Sequence, residues 1–277
     1  MACFVAIFFM KKTIYFSLFV SLLFGVNAEL FGQRNVVGKP GQVMTPSAQW
    51  DTLRQVGVSF GYIPENYSIN NFMTRHIGPE HIYGISLPIT RFLEVNLNFT
   101  RKPEMKRIGV GDRHIDLRIQ LLKERIFLPS VVLIVTPPEG YSTYLSQDLL
   151  VATKNISLGN AGKIRLSGGY SSPYFYRTRV RDSAGQKGFV RKNVIGNDYL
   201  NGFFGSLQWQ PWEFLGLMVE HDTQRINTGM FVQWKERVIL QGNLFGNREL
   251  GVTGSVRFPL DFAPYELRRY SKKNNLD

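Results

Sequence analysis

Cysteine is almost absent from this chain of 277 residues, since Cys3 is the single one. A disulfide framework and a cysteine-based metal site are therefore excluded. Apolar runs of about 18 residues, the length that a transmembrane helix needs, do not occur after Ala28. If the chain beyond Ala28 crosses a membrane, it must cross with β-strands, which need shorter segments.

Sequence motifs for catalysis and for metal binding are scarce. No serine lies in a nucleophile-elbow motif. His221 lies between Glu220 and Asp222, and neighbouring residues in a strand point to opposite faces. His221 therefore forms no catalytic dyad with either carboxylate. For the same reason, the three side chains do not converge on a metal ion. We therefore expect no enzyme activity, no cofactor and no metal site. The histidines are expected in loops or near strand ends: His76, His81, His114 and His221.

The first 28 residues have the pattern of a secretory signal peptide. The pattern starts best at Met10, continues with two lysines and an apolar run from Ile14 to Phe24, and ends in small residues up to Ala28. A transmembrane anchor over Met1 to Phe24 is the alternative. It is disfavoured because lysine near the centre of a membrane helix is costly.

The formal net charge of the chain is +12. A basic exported protein is suited to anionic partners such as lipid headgroups, lipopolysaccharide or acidic polysaccharide. Charge alone would also allow nucleic acid, but the export signal argues against it.

The stretch "GVGDRHIDLRIQLLKE" alternates polar and aliphatic residues at every second position. A helix would scatter the polar groups around its circumference, whereas a strand collects them on one face. The stretch therefore predicts a half-buried strand. Its polar face holds His114, Asp116, Arg118 and Gln120, and its aliphatic face holds Ile115, Leu117, Ile119 and Leu121.

Twelve such runs follow one another between residues 53 and 258, and their connections alternate between long and short. An even number of antiparallel strands with short turns at one end is typical of outer-membrane barrels. A soluble sandwich has the same alternation and is the competing architecture. Aromatic residues at the run ends favour the barrel, because membrane interfaces attract such girdles. The runs are Leu53–Tyr62, Glu80–Pro88, Phe92–Arg101, His114–Lys123, Ser130–Thr136, Gln147–Ile156, Lys163–Tyr170, Gly202–Trp209, Phe214–Asp222, Asn227–Trp234, Val238–Phe245 and Glu249–Phe258.

The predicted fold is therefore all-β, an antiparallel transmembrane β-barrel of about twelve strands over residues 53–258. Residues 29–52 are expected to form a periplasmic lead-in or a plug inside the barrel, and residues 259–277 a basic periplasmic tail. Charges of both signs on the inner face either close the lumen as a network or line a hydrated passage, and their length favours a filled lumen. The lumen-facing candidates are Glu94, Asp116, Arg118, Lys154, Arg165, Glu220 and Arg257.

Three segments resemble one known family. "VVGKPGQVMTPSAQWDTLRQVGVSFG", "GVGDRHIDLRIQLLKERIFLPSVVL" and "LLVATKNISLG" are similar to motifs of the YjbH-type exopolysaccharide and group 4 capsule biosynthesis family. Shared features are a Thr-Pro-Ser-Ala motif before the first strand, a Gly-Asp-Arg motif before an alternating strand, and a Leu-Pro turn. The resemblance covers Val37 to Gly169 well and continues more loosely to Phe258.

The resemblance implies a non-enzymatic outer-membrane barrel of a Gram-negative bacterium, linked to exopolysaccharide or capsule export. The partners it implies are outer-membrane lipid, lipopolysaccharide and polysaccharide export machinery. Longer family members continue beyond the point at which this chain ends. The alternative is therefore a structural accessory subunit of a larger outer-membrane barrel complex.

Overall fold

The computed structural model of the protein describes residues 33–50, 55–69, 78–103, 113–138, 145–177, 188–195, 199–235 and 237–259. The predicted signal peptide, the predicted tail after Pro259 and His76 lie outside the described residues. Within those ranges, no helix has both the length and the hydropathy to cross a membrane. The helices that they contain are single 3-10 turns, at Glu65–Tyr67, Gly159–Ala161 and Lys192–Ile195.

Twelve strands form a closed antiparallel barrel, so the predicted fold class is confirmed. Each strand pairs with its neighbours along the chain, and the first strand pairs with the last to close the barrel. The two additional strands, β8 and β9, form a separate hairpin in the connection between β7 and β10. The strands are β1 Gln55–Ile63, β2 Glu80–Pro88, β3 Leu93–Arg101, β4 Arg113–Leu122, β5 Ser130–Val135, β6 Leu149–Ser157, β7 Lys163–Ser171, β8 Tyr174–Arg177, β9 Gly188–Arg191, β10 Gly202–Trp212, β11 Leu215–His221, β12 Ile226–Trp234, β13 Val238–Phe245 and β14 Glu249–Pro259.

The alternation of β4 separates its two faces as the sequence predicts. Asp116 and Arg118 are fully buried and face inward, whereas Ile115 is 41% exposed on the outside. The register of β3 on β4 sets Glu94 opposite Arg118. Opposite charges on directly paired residues favour this register over a shifted one.

The two ends of the barrel differ in their connections. At the turn end, where β1 begins and β14 ends, the connections contain two to seven residues. At the loop end, four connections contain 11 to 30 residues, and the two formed by residues 222–225 and 246–248 are short. Long connections on one side only are typical of outer-membrane barrels.

Residues 33–50, called the plug segment below, lie inside the barrel. The sequence left a choice between a plug and a periplasmic lead-in, and the structure has the segment in the lumen with residues 33–49 all buried. Backbone hydrogen bonds fold it into a compact unit, including Val36 N–H to Val43 O at 2.9 Å and Ser47 N–H to Pro40 O at 2.8 Å. Its apolar side chains, among them Val36, pack in a cluster that includes Ile63 of β1.

Glycines let the barrel wall approach the plug segment closely. A Cβ added to Gly61 of β1 would lie 2.2 Å from the Val36 carbonyl oxygen. A Cβ added to Gly84 of β2 would lie 3.0 Å from the Cα of Gly38, which itself has a φ of +81°. These positions require glycine, because any side chain would push the two backbones apart.

Gly61→Ala is expected to destabilise the folded barrel by about 1 to 3 kcal/mol, the usual cost of overpacking a filled interior. The matched control is Gly254→Ala, since Gly254 lies on the adjacent strand β14 and an added Cβ there meets no atom within 4 Å. The measurement is a urea titration. At each urea concentration, the folded fraction is read on a gel from the intensity of the band that shifts when the sample is heated. Equal midpoints for the two variants would contradict the close approach of the plug segment.

Candidate functional site: the plugged lumen

One end of the plug segment is held by a buried cluster of two arginines and a carboxylate. Arg34 of the plug segment and Arg118 of β4 both form ion pairs with Glu94 of β3, with N–O distances of 3.2 and 3.1 Å. Arg118 also donates from Nη2 to the carbonyl oxygens of Ser47 and Gln49, at 3.1 and 2.9 Å. Arg118 therefore binds the end of the segment directly, and Glu94, which it pairs with, binds the start through Arg34.

A second cluster is built around the carboxylate of Asp116. Lys39 of the plug segment forms an ion pair with Asp116 at 2.7 Å, and His114 Nε2 lies 2.6 Å from the other carboxylate oxygen. Thr136 donates its hydroxyl to Asp116 at 2.8 Å. Lys39 Nζ also donates to the side-chain oxygen of Gln147 at 2.7 Å. A buried carboxylate with this many partners is well satisfied, and losing any one of them would leave charge or polar groups unpaired.

The third contact uses backbone amides of the plug segment. The Glu220 carboxylate of β11 accepts hydrogen bonds from the N–H groups of Val43, Met44 and Thr45, at 3.0, 2.7 and 3.1 Å, and from the Thr45 hydroxyl at 2.7 Å. Successive amides that point to one spot form a concave site for an anion. Here the anion is a wall side chain, so the site fixes the orientation of the segment.

Polar residues of the remaining wall complete the set of contacts. The Ala48 amide donates to Thr153 of β6 at 2.7 Å, and its carbonyl accepts from Ser130 of β5 at 2.9 Å. On the far side, Gln241 of β13 donates to the Arg34 carbonyl at 3.0 Å. Contacts with β3, β4, β5, β6, β11 and β13 surround the segment, so it fills the lumen as a plug.

Six of the seven lumen candidates lie on the inner face of the barrel: Glu94, Asp116, Arg118, Arg165, Glu220 and Arg257. Arg165 of β7 donates from Nη1 to the Gln49 side-chain oxygen at 2.8 Å. The plug segment contacts Glu94, Asp116, Arg118, Arg165 and Glu220. Arg257 is 5% exposed on the inner face of β14.

Lys154 lies on the outer face of the barrel, contrary to the prediction. Val151 and Thr153 point inward in β6, so strand geometry turns Lys154 outward. Its ammonium group forms an ion pair with Glu124 at 3.0 Å, at the turn end. The prediction assigned the face from polarity, and polarity is a poor guide near a strand end, where both faces meet water.

The three described histidines lie near strand ends, as the sequence predicts. His114, the second residue of β4, is buried and shares the inner strand face with Asp116. His81 makes ring contacts with Phe60 and Tyr62 on the outer face, and His221 is exposed at the end of β11. No group of three or more His, Cys, Asp or Glu residues suited to a metal ion occurs in the described part of the chain.

The plug residues that hold the wall charges were missed as individual sites. Arg34, Lys39 and Thr45 precede the first strand and carry no strand periodicity. A usable signal was present, because a Gly- and Pro-rich segment with two cations precedes a barrel whose inner face carries Glu94 and Asp116. Charge complementarity between the two would have favoured the plug over the lead-in.

Glu220→Ala is expected to loosen the plug segment, because three amides and a hydroxyl lose their acceptor together. Trypsin should then cleave the folded protein after Arg34 at a rate raised about tenfold or more, since cleavage follows the open population. The rate is read by mass spectrometry of that one bond. Glu220→Gln keeps an acceptor and should show a smaller rise.

The control for Glu220→Ala is Gln233→Ala. Gln233 faces the lumen from β12, and its side-chain amide has no hydrogen-bond partner among the described residues. Cleavage after Arg34 at the same rate in both alanine variants would mean that the Glu220 contact does not hold the segment.

Arg118→Leu is expected to raise single-channel conductance in planar bilayers. The change removes both hydrogen bonds to the end of the plug segment and the ion pair between Arg118 and Glu94, while the ion pair between Arg34 and Glu94 at 3.2 Å stays. Arg113→Leu is the control, because Arg113 is exposed at the start of the same strand. A conductance of Arg118→Leu equal to that of the control and the unmodified protein would show that Arg118 does not seal the lumen.

Comparison with known proteins identifies one family. No curated protein matches the chain. The family model described as exopolysaccharide biosynthesis protein YbjH matches residues 34–237, which is more than half of the chain. The matched region starts at Arg34 and therefore includes the plug segment as well as β1 to β12. The chain belongs to the YjbH family of exopolysaccharide biosynthesis proteins.

Proposed function

We propose that the protein is a non-enzymatic β-barrel of the outer membrane of a Gram-negative bacterium. In this proposal it acts in exopolysaccharide or capsule export, and the plug segment closes its lumen in the resting state. The observation that carries the proposal is the inverted distribution of polarity, with charges inside the barrel and aliphatic side chains outside. Family membership supports the link to exopolysaccharide.

The outer face carries a belt of exposed aliphatic side chains. A soluble sandwich would bury this face in its core, whereas a membrane barrel turns it toward lipid. Exposed apolar area that runs around a whole barrel is far larger than a soluble monomer tolerates. The members of the belt include Val58, Ile115, Leu150, Leu166, Leu207, Leu217, Val219, Met230, Val232, Leu240, Leu244 and Leu250, each 39–62% exposed.

Aromatic residues and cations border the belt at the turn end. The exposed aromatic side chains there include Phe92, Phe127, Trp209, Trp212, Trp234 and Phe258. Rings of this kind favour the interface between hydrocarbon and headgroups. Exposed cations in the adjoining turns suit anionic headgroups: Arg91, Lys123, Arg125, Lys235 and Arg237.

Cell fractionation tests the location and the role together. The protein is expected in the outer-membrane fraction, with migration on a gel that changes on heating, and deletion of its gene should lower surface polysaccharide. A soluble periplasmic protein without heat-modifiable migration would contradict the proposal.

Leu117→Arg tests the lipid-facing assignment within one strand. Leu117 lies at the middle of β4 on its outer face, so an arginine there should cost about 2 to 4 kcal/mol and lower the folded fraction in membranes. Leu121→Arg is the matched control, since Leu121 is on the same face near the turn end and the cost near the interface falls to about 0 to 1 kcal/mol. Equal tolerance of both changes would favour a soluble barrel.

A structural accessory subunit of a larger outer-membrane barrel complex is the second candidate. The filled lumen favours it, because no sugar chain passes through this barrel while the plug segment stays in place. Purification from native membranes separates the two candidates. Co-purification of polysaccharide export components supports the first, and a large unrelated barrel partner supports the second.

A further inference from the structure

The hairpin of β8 and β9 has an outer face of aromatic side chains. Tyr174 pairs with Arg191 across the two strands, and Tyr176 pairs with Phe189. The rings of Tyr176 and Phe189 contact edge to face with centroids 5.2 Å apart. The exposed fractions are 46% for Tyr174, 45% for Tyr176 and 74% for Phe189. Exposed rings that share one face of a sheet mark a candidate interaction surface.

The opposite side of the hairpin is buried, and the Ser172 N–H just before the hairpin donates to the Asp148 carbonyl oxygen at 2.8 Å. Phe175 is 2% exposed, and Lys192, directly after β9, is fully buried with its N–H donating to the Pro173 carbonyl at 2.8 Å. Burial lowers the pKa of Lys192 to about 8, and Asp148 opposes this shift. The charges of Lys39 and Asp116 in the lumen also act on Lys192. The hairpin therefore has one buried side, with Phe175 and Lys192, and one exposed side that carries the aromatic rings.

A second aromatic pair lies at the base of the hairpin. Tyr170 near the end of β7 and Phe203 near the start of β10 contact edge to face at 4.9 Å, and Phe203 is 79% exposed. These two strands carry the connection that contains the hairpin. Exposed rings therefore occur both on the barrel strands that carry the connection and on the hairpin itself.

The sequence of this connection is strongly cationic. Residues 174–192 contain one acidic residue, Asp182, and six basic residues: Arg177, Arg179, Arg181, Lys187, Arg191 and Lys192. An anionic ligand is therefore attracted to this part of the chain. A guanidinium such as that of Arg191, which is exposed beside Tyr174, pairs well with carboxylates because two of its N–H groups match the two oxygens.

We infer that the outer face of the β8–β9 hairpin is a docking surface for an acidic polysaccharide chain. A sugar ring has one apolar face made of C–H groups, and packing it on an aromatic ring removes apolar area of both from water. Carboxylates on the sugars pair with Arg191, which is exposed on the same face as the rings. The inference rests on the proposed function, which puts the loop end on the outside of the cell.

Binding of polygalacturonate to the purified full chain in detergent micelles tests the inference, with dextran as the neutral comparison. The unmodified protein should bind polygalacturonate more tightly than dextran, and high salt should weaken that binding. Tyr176→Ser combined with Phe189→Ser should weaken it about tenfold, since two ring contacts are lost. Arg191→Gln should weaken binding and reduce its dependence on salt.

Matched controls come from the turn end. Phe127 is 92% exposed and follows two residues after the exposed Arg125, so Phe127→Ser and Arg125→Gln remove the same chemistry at the other end of the barrel. Both should bind polygalacturonate as the unmodified protein does. Heat-modifiable migration on a gel verifies that every variant folds.

Three results would overturn the inference. The first is that the unmodified protein does not prefer polygalacturonate to dextran, and the second is that the hairpin variants bind polygalacturonate as well as the controls do. The third is that a hairpin variant keeps polygalacturonate binding but loses association with vesicles containing lipopolysaccharide, which would make the face a lipid anchor. Fractionation and the export phenotype do not depend on this binding, so failure here leaves the proposed function standing.

Discussion

Three carboxylates inside the barrel take partners from the plug segment, and the closed lumen depends on these contacts. Glu94 and Asp116 pair with Arg34 and Lys39, and Glu220 accepts three successive backbone amides. Without the segment, Glu94 would lose Arg34, Asp116 would lose Lys39, and Glu220 would lose the three amides. Charged groups removed from water are stable only when they are paired and hydrogen-bonded. The charged residues of the wall are therefore stable only with the plug segment in place, and the segment in turn holds these residues in their arrangement.

Most of the barrel could be predicted because strand alternation is a local property. The polar and aliphatic faces of β4 are readable over ten residues, and both its bounds and its inner face agree with the structure to within a residue or two. Lys154 was assigned to the wrong face, because polarity near a strand end does not report direction. Sequence periodicity does not reveal the β8–β9 hairpin, because strands of four residues are too short to show a period.

The plug could not be derived from periodicity, because its backbone forms bridges and turns without regular alternation. Its position depends on contacts between residues far apart in the chain, such as Thr45 with Glu220 and Lys39 with Asp116. The contact of His114 with Asp116 was within reach of sequence reasoning, since the two residues are two apart on one strand. The match to the family model starts at Arg34 and so covers this part of the chain as well as the wall.

Amide hydrogen exchange of the folded protein is the most direct measurement of whether residues 33–50 occupy the lumen. The amides of Val36, Gln42 and Ser47 donate to backbone oxygens within the segment and are buried. They are expected to exchange as slowly as the amides of barrel strands such as β4. Exchange at the rate of an unfolded chain, with the strands protected, would mean that the segment lies outside the barrel as a lead-in and would contradict the plugged lumen.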